Sequence, residues 1–249
     1  MRTVFISDLH LTEKRPDITQ ALFCFIQREC INSDTPTSAL YILGDFFEAW
    51  IGDDCSTPLA EEVKAHLKAI TDAGIDLYIM HGNRDFLIGQ SFCSDIGGQL
   101  IPDGTIIHLD EKPVLLMHGD TLCTQDVQYL AFREVVRNPL WQQDFLSKPI
   151  SERLSIAQEL RRKSQESAAD KAEFIMDVDQ QEVTKRLDAS HCNLLIHGHT
   201  HRPATHTLTN PANGHRYVLG DWDKYGWMIV ASDSDIELSK FQITSKANC

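Results

Sequence analysis

The sequence predicts an α/β fold, and three features of the 249-residue chain indicate it. Over residues 1–120, short apolar runs alternate with amphipathic segments, which is the pattern of βαβ units. A stretch rich in helix-favouring residues follows, from about Thr124 to Gln181, and shorter apolar runs fill the remainder. We therefore expect a single domain over residues 1–249, with a helical cap inserted at approximately 124–181.

The predicted core strands are continuous apolar runs, which is typical of strands buried on both faces. In order they are Thr3–Ile6, Leu40–Leu43, Leu77–Met80, Val114–Met117 and Leu194–Ile196. Between the first three, apolar residues at helical spacing predict helices over residues 17–31 and 59–73. Turn signals at residues 103–104 and 111–113 predict a hairpin-like pair that leads into the fourth strand.

The sequence pattern of the cap predicts several helices. Pro139 and Pro149 interrupt the helical pattern, and Ser151–Ser167 is a charged stretch that favours another helix. Two interpretations remain open from the sequence: a helical bundle that decorates the fold, or a lid over a site. The lid is favoured because the two ends of the cap lie near His118 and His197.

After residue 203 the apolar segments become shorter and more closely spaced. Apolar segments at Ala204–Leu208, Tyr217–Leu219, Trp227–Ala231 and Ile236–Ile243 predict antiparallel strands. Asn213-Gly214 is a strong turn signal between the first two of them.

Composition limits the classes of function. The hydrophobic content of 42% suits a packed core, and the net charge of -13 disfavours binding to nucleic acid phosphates. The seven cysteines are scattered and lack CxxC spacing, which predicts reduced thiols in a cytosolic setting. A strand begins at once at the amino terminus, so we expect no signal peptide, and no run is long enough for a transmembrane helix.

Polar residues follow each of the five core strands directly, at the strand ends where open α/β sheets bind ligands. Aspartate, asparagine and histidine supply oxygen and nitrogen ligands to divalent metals. The candidate ligands are Asp8, His10, Asp45, Asn83, His118, His197 and His199. Seven groups are too many for one metal, but they suit two metals that share a carboxylate and activate a water. The pattern predicts hydrolysis of a phosphate ester or anhydride.

The same residues resemble the signature of the calcineurin-like metallophosphoesterases. The motifs are Asp8-x-His10, Gly44-Asp45, Gly82-Asn83, His118 and Gly198-x-His199. The resemblance implies a four-layer αββα sandwich with two mixed sheets. It also implies a first metal on Asp8, His10, Asp45 and His199, and a second on Asp45, Asn83, His118 and His197. Asp45 would bridge the two.

One residue departs from the common pattern of this family. Many members carry a histidine after Gly-Asn that assists the leaving group, whereas this chain carries Arg84. Arginine does not give up its proton at neutral pH, but it clamps a phosphate well. A phosphate leaving group needs no acid, so Arg84 points to a pyrophosphate bond. The alternative is that Arg84 pairs structurally with Asp85 or another carboxylate. The predicted catalytic residues are Asp45, Asn83, Arg84 and His118.

Longer strings narrow the resemblance to one branch of the family. They are YILGDFFEAWIGDD, HGNRDFLIG, MHGDTLCTQD, FIMDV and LIHGHTHRPA. The branch implies two Mn²⁺ and cleavage of UDP-2,3-diacylglucosamine at the α-phosphorus, giving UMP and 2,3-diacylglucosamine 1-phosphate for lipid A biosynthesis. The alternative is another dimetal phosphodiesterase or a nucleotide pyrophosphatase on the same fold. The implied substrate contacts are Asn83, Arg84, Asp126, Ser164, Lys171 and His197. Relatives carry asparagine where this chain has Ala168, which weakens the comparison within the cap.

A lipid substrate implies further partners. We expect a monomer bound peripherally to the cytoplasmic face of the inner membrane, with no nucleic acid partner. Apolar residues of the cap then line an acyl groove, or else only pack the helices together. Basic residues of the cap then face anionic lipid headgroups, or else form an ordinary solvated surface.

Overall fold

A computed structural model describes residues 2–169, 175, 177–232 and 235–244 of the chain. The strands are β1 (Arg2–Ile6), β2 (Thr37–Leu43), β3 (Asp76–Met80), β4 (Gln99–Ile101), β5 (Thr105–Leu109), β6 (Lys112–Met117), β7 (Leu194–His197), β8 (Ala204–Leu208), β9 (Gly214–Val218), β10 (Tyr225–Ser232) and β11 (Asp235–Gln242). The helices are α1 (Pro16–Phe25), α2 (Pro58–Asp72), α3 (Gln90–Ile96), α4 (Val127–Val136), α5 (Pro139–Ser147), α6 (Ile150–Ala169) and α7 (Gln180–Ser190).

Two mixed sheets form the centre of the fold. The first has the order β11-β10-β1-β2-β3-β4, and the second has the order β5-β6-β7-β9-β8. In the first sheet β1, β2, β3 and β4 run parallel, and β10 joins β1 antiparallel. In the second, β6, β7 and β9 run parallel, and β5 and β8 close the two edges antiparallel.

Alternating side chains of the strands build the layers. In β2, Leu40 and Ile42 pack with α1, α2 and α3, whereas Tyr41 and Leu43 face the second sheet. In β6, Leu116 faces the first sheet and its neighbours pack against α7 on the other side. The layers are therefore helices, sheet, sheet and helix, and the predicted αββα sandwich is confirmed.

Most of the predicted elements are present. The helix expected over residues 17–31 is α1 followed by a π-helical segment, Ile26–Ile31. The turn expected at residues 111–113 lies earlier, because Asp110 adopts a left-handed backbone and Lys112 already belongs to β6. Helix α3 and strand β4, which are only seven and three residues long, were not predicted. Short elements carry too few residues to display a period.

Helices α4, α5, α6 and α7 lie between β6 and β7 in the chain. Asn138 and Asp179 cap α5 and α7, and proline occupies the first turn of α5. The two prolines therefore divide the cap where the sequence predicts. Among the described residues, no helix combines the length and the apolarity needed to cross a bilayer. Cys30, Cys55, Cys93, Cys123 and Cys192 are free thiols.

Candidate metal centre

The candidate ligands lie in loops whose backbone is unusual. Five non-glycine residues at the strand ends adopt left-handed conformations with φ between 50° and 67°, which L-amino acids rarely populate. They are Asp8, His10, Asp45, His199 and His201. Strained conformations of this kind persist where the surrounding structure enforces them, and they concentrate at functional sites.

The first group of metal-capable side chains contains Asp8, His10 and His201. The carboxylate of Asp8 is fully buried and accepts hydrogen bonds from Ser7 Oγ and from the backbone N–H of His199, at 2.5 and 2.9 Å. His201 Nε2 lies 3.3 Å from His10 Nε2 and 3.4 Å from Asp8 Oδ1. Three ligand-type atoms therefore converge from two distant parts of the chain.

The second group contains Asp45, His118 and His199. Asn83 joins it, because its Oδ1 lies 3.0 Å from His118 Nε2 and 2.9 Å from His199 Nδ1. The family resemblance implies that His199 shares a metal with Asp8, His10 and Asp45. In the structure the backbone N–H of His199 donates a hydrogen bond to Asp8, and its ring lies beside Asn83 and His118.

Asp45 lies between the two groups. Its Oδ2 is 3.8 Å from His10 Nε2, and its Oδ1 is 3.7 Å from His118 Nε2. The backbone N–H of Arg84 donates to Oδ1 at 2.8 Å, which orients the carboxylate. One oxygen of a single buried carboxylate thus faces each group, as a bridging ligand requires.

The donor set fits a divalent cation. All ligand atoms are oxygen or nitrogen, and Asp8 Oδ1 is buried without a hydrogen-bond partner among the described residues. Burial alone lowers the pKa of His118, but the carboxylates of Asp45, Asp120 and Asp8 outweigh it and raise that pKa to about 9. Burial raises the pKa of Asp45 to about 7. The centre therefore attracts positive charge, which a metal would supply in place of protons.

The imidazole of His118 is oriented by the core. Its Nδ1 lies 2.9 Å from the carbonyl oxygen of Leu43 in β2, so a proton on Nδ1 is donated away from the centre. Nε2 is then left facing Asn83 and Asp45, and this arrangement is common for metal-ligating histidines.

His197 is placed differently from the other predicted ligands. Among the described residues it belongs to neither group of metal-capable side chains. Its Nδ1 lies 2.8 Å from the carbonyl oxygen of Gly198, and its Nε2 lies 3.1 Å from Nη1 of the buried Arg216. Burial, followed by the charge of Arg216, lowers the pKa of His197 to about 3. A metal role for His197 stays a prediction.

Asp85 holds two of the loops together. Its buried carboxylate accepts hydrogen bonds from the backbone N–H groups of Phe46, Phe47 and Gly82, at 2.7, 3.3 and 2.8 Å. The loop with Asp45 and the loop that follows β3 are thereby fixed against each other. These bonds leave Asp85 engaged with the backbone rather than with Arg84.

Glycine is required where these loops touch. A Cβ on Gly82 would lie 2.1 Å from the backbone nitrogen of Asp45, and one on Gly198 would lie 2.2 Å from Asp8 Oδ2. No side chain fits at such distances, so the glycines of the two motifs allow the loops to bring the ligands together.

A cavity of about 560 Å³ lies beside the centre, between the cap and the loops after β2 and β3. Arg84, Asp126 and Ser164 all line it, as do Asn83 and His199. Asp126 also caps α4, accepting a hydrogen bond from the backbone N–H of Tyr129. His197 does not line the cavity, and Lys171 lies outside the described residues.

Contacts between the cap and the centre were not predicted from the sequence. Asp120, two residues after His118, is bound by Arg133 Nε at 2.7 Å and by the hydroxyl of Tyr129. Arg137 donates to the carbonyl oxygen of Gly82 at 2.7 Å. Tyr129, Arg133 and Arg137 recur at every fourth position of α4 and its C-cap, so one face of this helix points to the centre. The spacing of these polar residues was the only sequence signal for the contacts between α4 and the centre. The same spacing is also found on ordinary solvent-exposed helix faces.

Two stacked mixed sheets with a buried carboxylate and histidine centre at their strand ends define a metal-dependent phosphoesterase. A profile of the calcineurin-like phosphoesterase family matches residues 1–203, and the chain belongs to that family.

The chain is also similar to several proteins named UDP-2,3-diacylglucosamine hydrolase. It is 52% identical to the protein of Marinobacter nauticus over 233 residues, which cover 93% of this chain and 94% of that one. It is 49% identical to the protein of Cellvibrio japonicus, over 98% of this chain and 100% of the other. It is 46% identical to that of Serratia proteamaculans, over 97% and 99% respectively.

Proposed function

We propose that this chain hydrolyses the pyrophosphate bond of UDP-2,3-diacylglucosamine at the α-phosphorus, in lipid A biosynthesis. The products are UMP and 2,3-diacylglucosamine 1-phosphate. Similarity to the relatives of that name supports the proposal over nearly the full length of the chain. The observation that carries it in the structure is the cavity, which joins the metal centre to an apolar space under the cap.

The lining of this cavity suits an amphiphile. It combines groups of the centre and several cationic side chains with aromatic and aliphatic ones. The cationic residues are Arg84, Arg161, Lys163 and Arg202, and the apolar ones are Phe86, Leu87, Phe132, Trp141, Phe145 and Leu160. We propose that the pyrophosphate binds at the centre and the cationic side chains, and that the acyl chains cover the apolar ones. We propose the residues of the 124–181 cap as the acyl-binding part of a single domain.

Two divalent cations, which we propose to be Mn²⁺, would supply a water of lowered pKa and neutralise charge on the phosphorus. Asp8, His10, Asp45, Asn83, His118 and His199 would hold them, with His197 as a further candidate. The backbone N–H of Arg84 donates a hydrogen bond to Asp45 and so orients its carboxylate within the centre. The buried Nε of Arg84 has no hydrogen-bond partner among the described residues, so it is available to a phosphate oxygen. The leaving phosphate needs no proton from the protein.

The test is product analysis with the Mn²⁺-loaded chain in ¹⁸O-labelled water. We expect UMP that carries the label, because attack at the α-phosphorus places the new oxygen there. The metal-stripped chain should be inactive. UDP-N-acetylglucosamine, which lacks the acyl chains, should be a poor substrate because it leaves the apolar side chains of the cavity uncovered. Label in the lipid phosphate, or no UMP with both metals bound, contradicts the proposal.

We also propose that the chain works as a monomer on the cytoplasmic face of the inner membrane. The cap exposes apolar side chains that a lipid surface would cover: Val127 is 70% and Leu140 is 75% exposed. Vesicles with anionic lipid should sediment the chain, and Leu140→Ser should weaken this binding. Ile106→Ser is the matched control, because Ile106 is 45% exposed on β5, outside the cap. Equal binding by all three proteins would contradict the role of the cap, and light scattering tests the monomer.

A further inference from the structure

Glu48 lies in the loop after β2, between the cap and the candidate ligand His10. Its Oε1 lies 2.6 Å from Nη2 of Arg161 in α6, and its Oε2 lies 3.5 Å from His10 Nδ1. We propose that Glu48 is a positioning residue for His10, and that Arg161 holds Glu48 in place. The cap would then set the orientation of a metal ligand through one ion pair.

The backbone places Glu48 at this position. Its N–H donates to the carbonyl oxygen of Leu11 at 3.1 Å, and Leu11 pairs with Phe47 in an isolated parallel bridge. The segment that carries His10 and the segment that carries Glu48 therefore run side by side. Because the backbone of Glu48 is held in this way, its carboxylate can move only by rotation about its side-chain bonds. The ion pair with Arg161 restrains that rotation.

The two ring nitrogens of His10 face different surroundings. Nε2 faces the centre, 3.8 Å from Asp45 Oδ2. Nδ1 is buried and has no hydrogen-bond partner of normal geometry among the described residues, with the carboxylate of Glu48 facing it. A proton on Nδ1 pointing at Glu48 leaves the Nε2 lone pair for the centre. Bonds of this kind are often long in unliganded sites and tighten on loading.

His118 shows the same arrangement with a different acceptor. Its Nδ1 points outward to the main-chain carbonyl of Leu43, which is fixed in the core. The acceptor behind His10 is instead a side chain that is 30% exposed and tied to the cap. Carboxylates behind ligating histidines fix the ring and increase its basicity, and their loss weakens metal binding by about 10–100-fold.

The experiment measures Mn²⁺ binding to the metal-stripped full-length chain without substrate, by the electron paramagnetic resonance signal of free Mn²⁺. Glu48→Leu should weaken one of two binding steps by about 10–100-fold. Glu48→Gln should weaken it less, because an amide oxygen still accepts a hydrogen bond. Arg161→Gln should weaken the same step by a smaller factor. The controls Glu62→Gln, exposed on α2, and Arg162→Gln, exposed on α6 beside Arg161, should bind as the unmodified chain does.

The decisive comparison is the double variant. If Arg161 acts through Glu48, Arg161→Gln has no further effect on Mn²⁺ affinity once Glu48 is leucine. An equal effect in both backgrounds, or unchanged Mn²⁺ affinity in Glu48→Leu, overturns the proposal. Glu48→Gln remains informative if the leucine variant does not fold.

This inference rests on the proposed function only in taking His10 as a metal ligand. Because binding is measured without substrate, failure to release UMP from UDP-2,3-diacylglucosamine would leave it standing. A difference between Glu48→Leu and the controls also cannot come from loss of an Arg161 contact to the substrate.

Discussion

Replacing Asp85 with alanine should destabilise the protein strongly. The carboxylate is fully buried and accepts three backbone hydrogen bonds, two of them at 2.7 and 2.8 Å. Each buried N–H left without an acceptor costs about 1–3 kcal/mol. A water in the vacated space would restore part of this, so we expect a net loss of about 3–5 kcal/mol, a large share of the roughly 5–15 kcal/mol typical of a domain.

Urea unfolding measures this loss. With an m-value of about 2–3 kcal/mol/M, the midpoint should fall by about 1–2.5 M. The midpoint of Asp85→Asn should fall less, since its amide oxygen still accepts a hydrogen bond. Asp72 is exposed on α2, and the free energy of unfolding of Asp72→Ala should stay within about 0.5 kcal/mol of that of the unmodified chain. If Asp85→Ala loses less than about 1 kcal/mol with an unchanged m-value, the carboxylate does not hold the two loops as argued.

Three further predictions concern the centre. Gly82→Ala should lower kcat by at least about 100-fold, because its Cβ would lie 2.1 Å from the Asp45 nitrogen and displace the bridge; retained turnover would contradict this close approach. Arg84→Ala should lose far more kcat/KM on the UDP-linked lipid than on a small activated phosphodiester, whereas equal losses would argue against a phosphate clamp. Mn²⁺ bound at Asp45 and His118 would have to displace protons, because burial raises the pKa of Asp45 to about 7 and neighbouring carboxylates raise the pKa of His118 to about 9. Calorimetry in buffers of different ionisation enthalpy should therefore show proton release at pH 7 and affinity that rises towards pH 9, and binding independent of pH would refute it.

The sequence predicted the core strands because burial leaves a simple pattern, whereas the order of the layers was implied only by the family resemblance. A strand between two layers is apolar at every position, and Thr3–Ile6 and Leu40–Leu43 display it plainly. The return of β10 to pair with β1 leaves no such trace. A pairing between strands that are far apart in the chain depends on which strands the fold brings together, and the alternation within one strand does not encode it.

The motifs predicted most members of the two groups of metal-capable side chains, but His201 was not among the predicted ligands and the internal geometry was not predicted. The motifs place Asp8, Asp45 and Asn83 at strand ends, where topology brings them together. The direction of each side chain depends on local backbone strain, such as the left-handed conformation of His199 and His201. Steric preferences of single residues disfavour that conformation, so sequence reasoning does not anticipate it.

The anchoring of the cap to the loops beside the centre illustrates the same limit. Arg153 appears in the sequence as one more solvated helix residue, yet its side chain is 2% exposed and donates to the carbonyl oxygen of Ile51 at 2.7 Å while pairing with Asp54. Arg137 is similarly bound to Gly82 and lies over the ring of Phe86. Removing the partners of a buried guanidinium lowers the stability of the fold, because the charge is then left without compensation in a low-dielectric region. Two such anchors, at the C-cap of α4 and on α6, tie the cap to the loops after β3 and β2, and in this structure the cap forms one wall of the cavity.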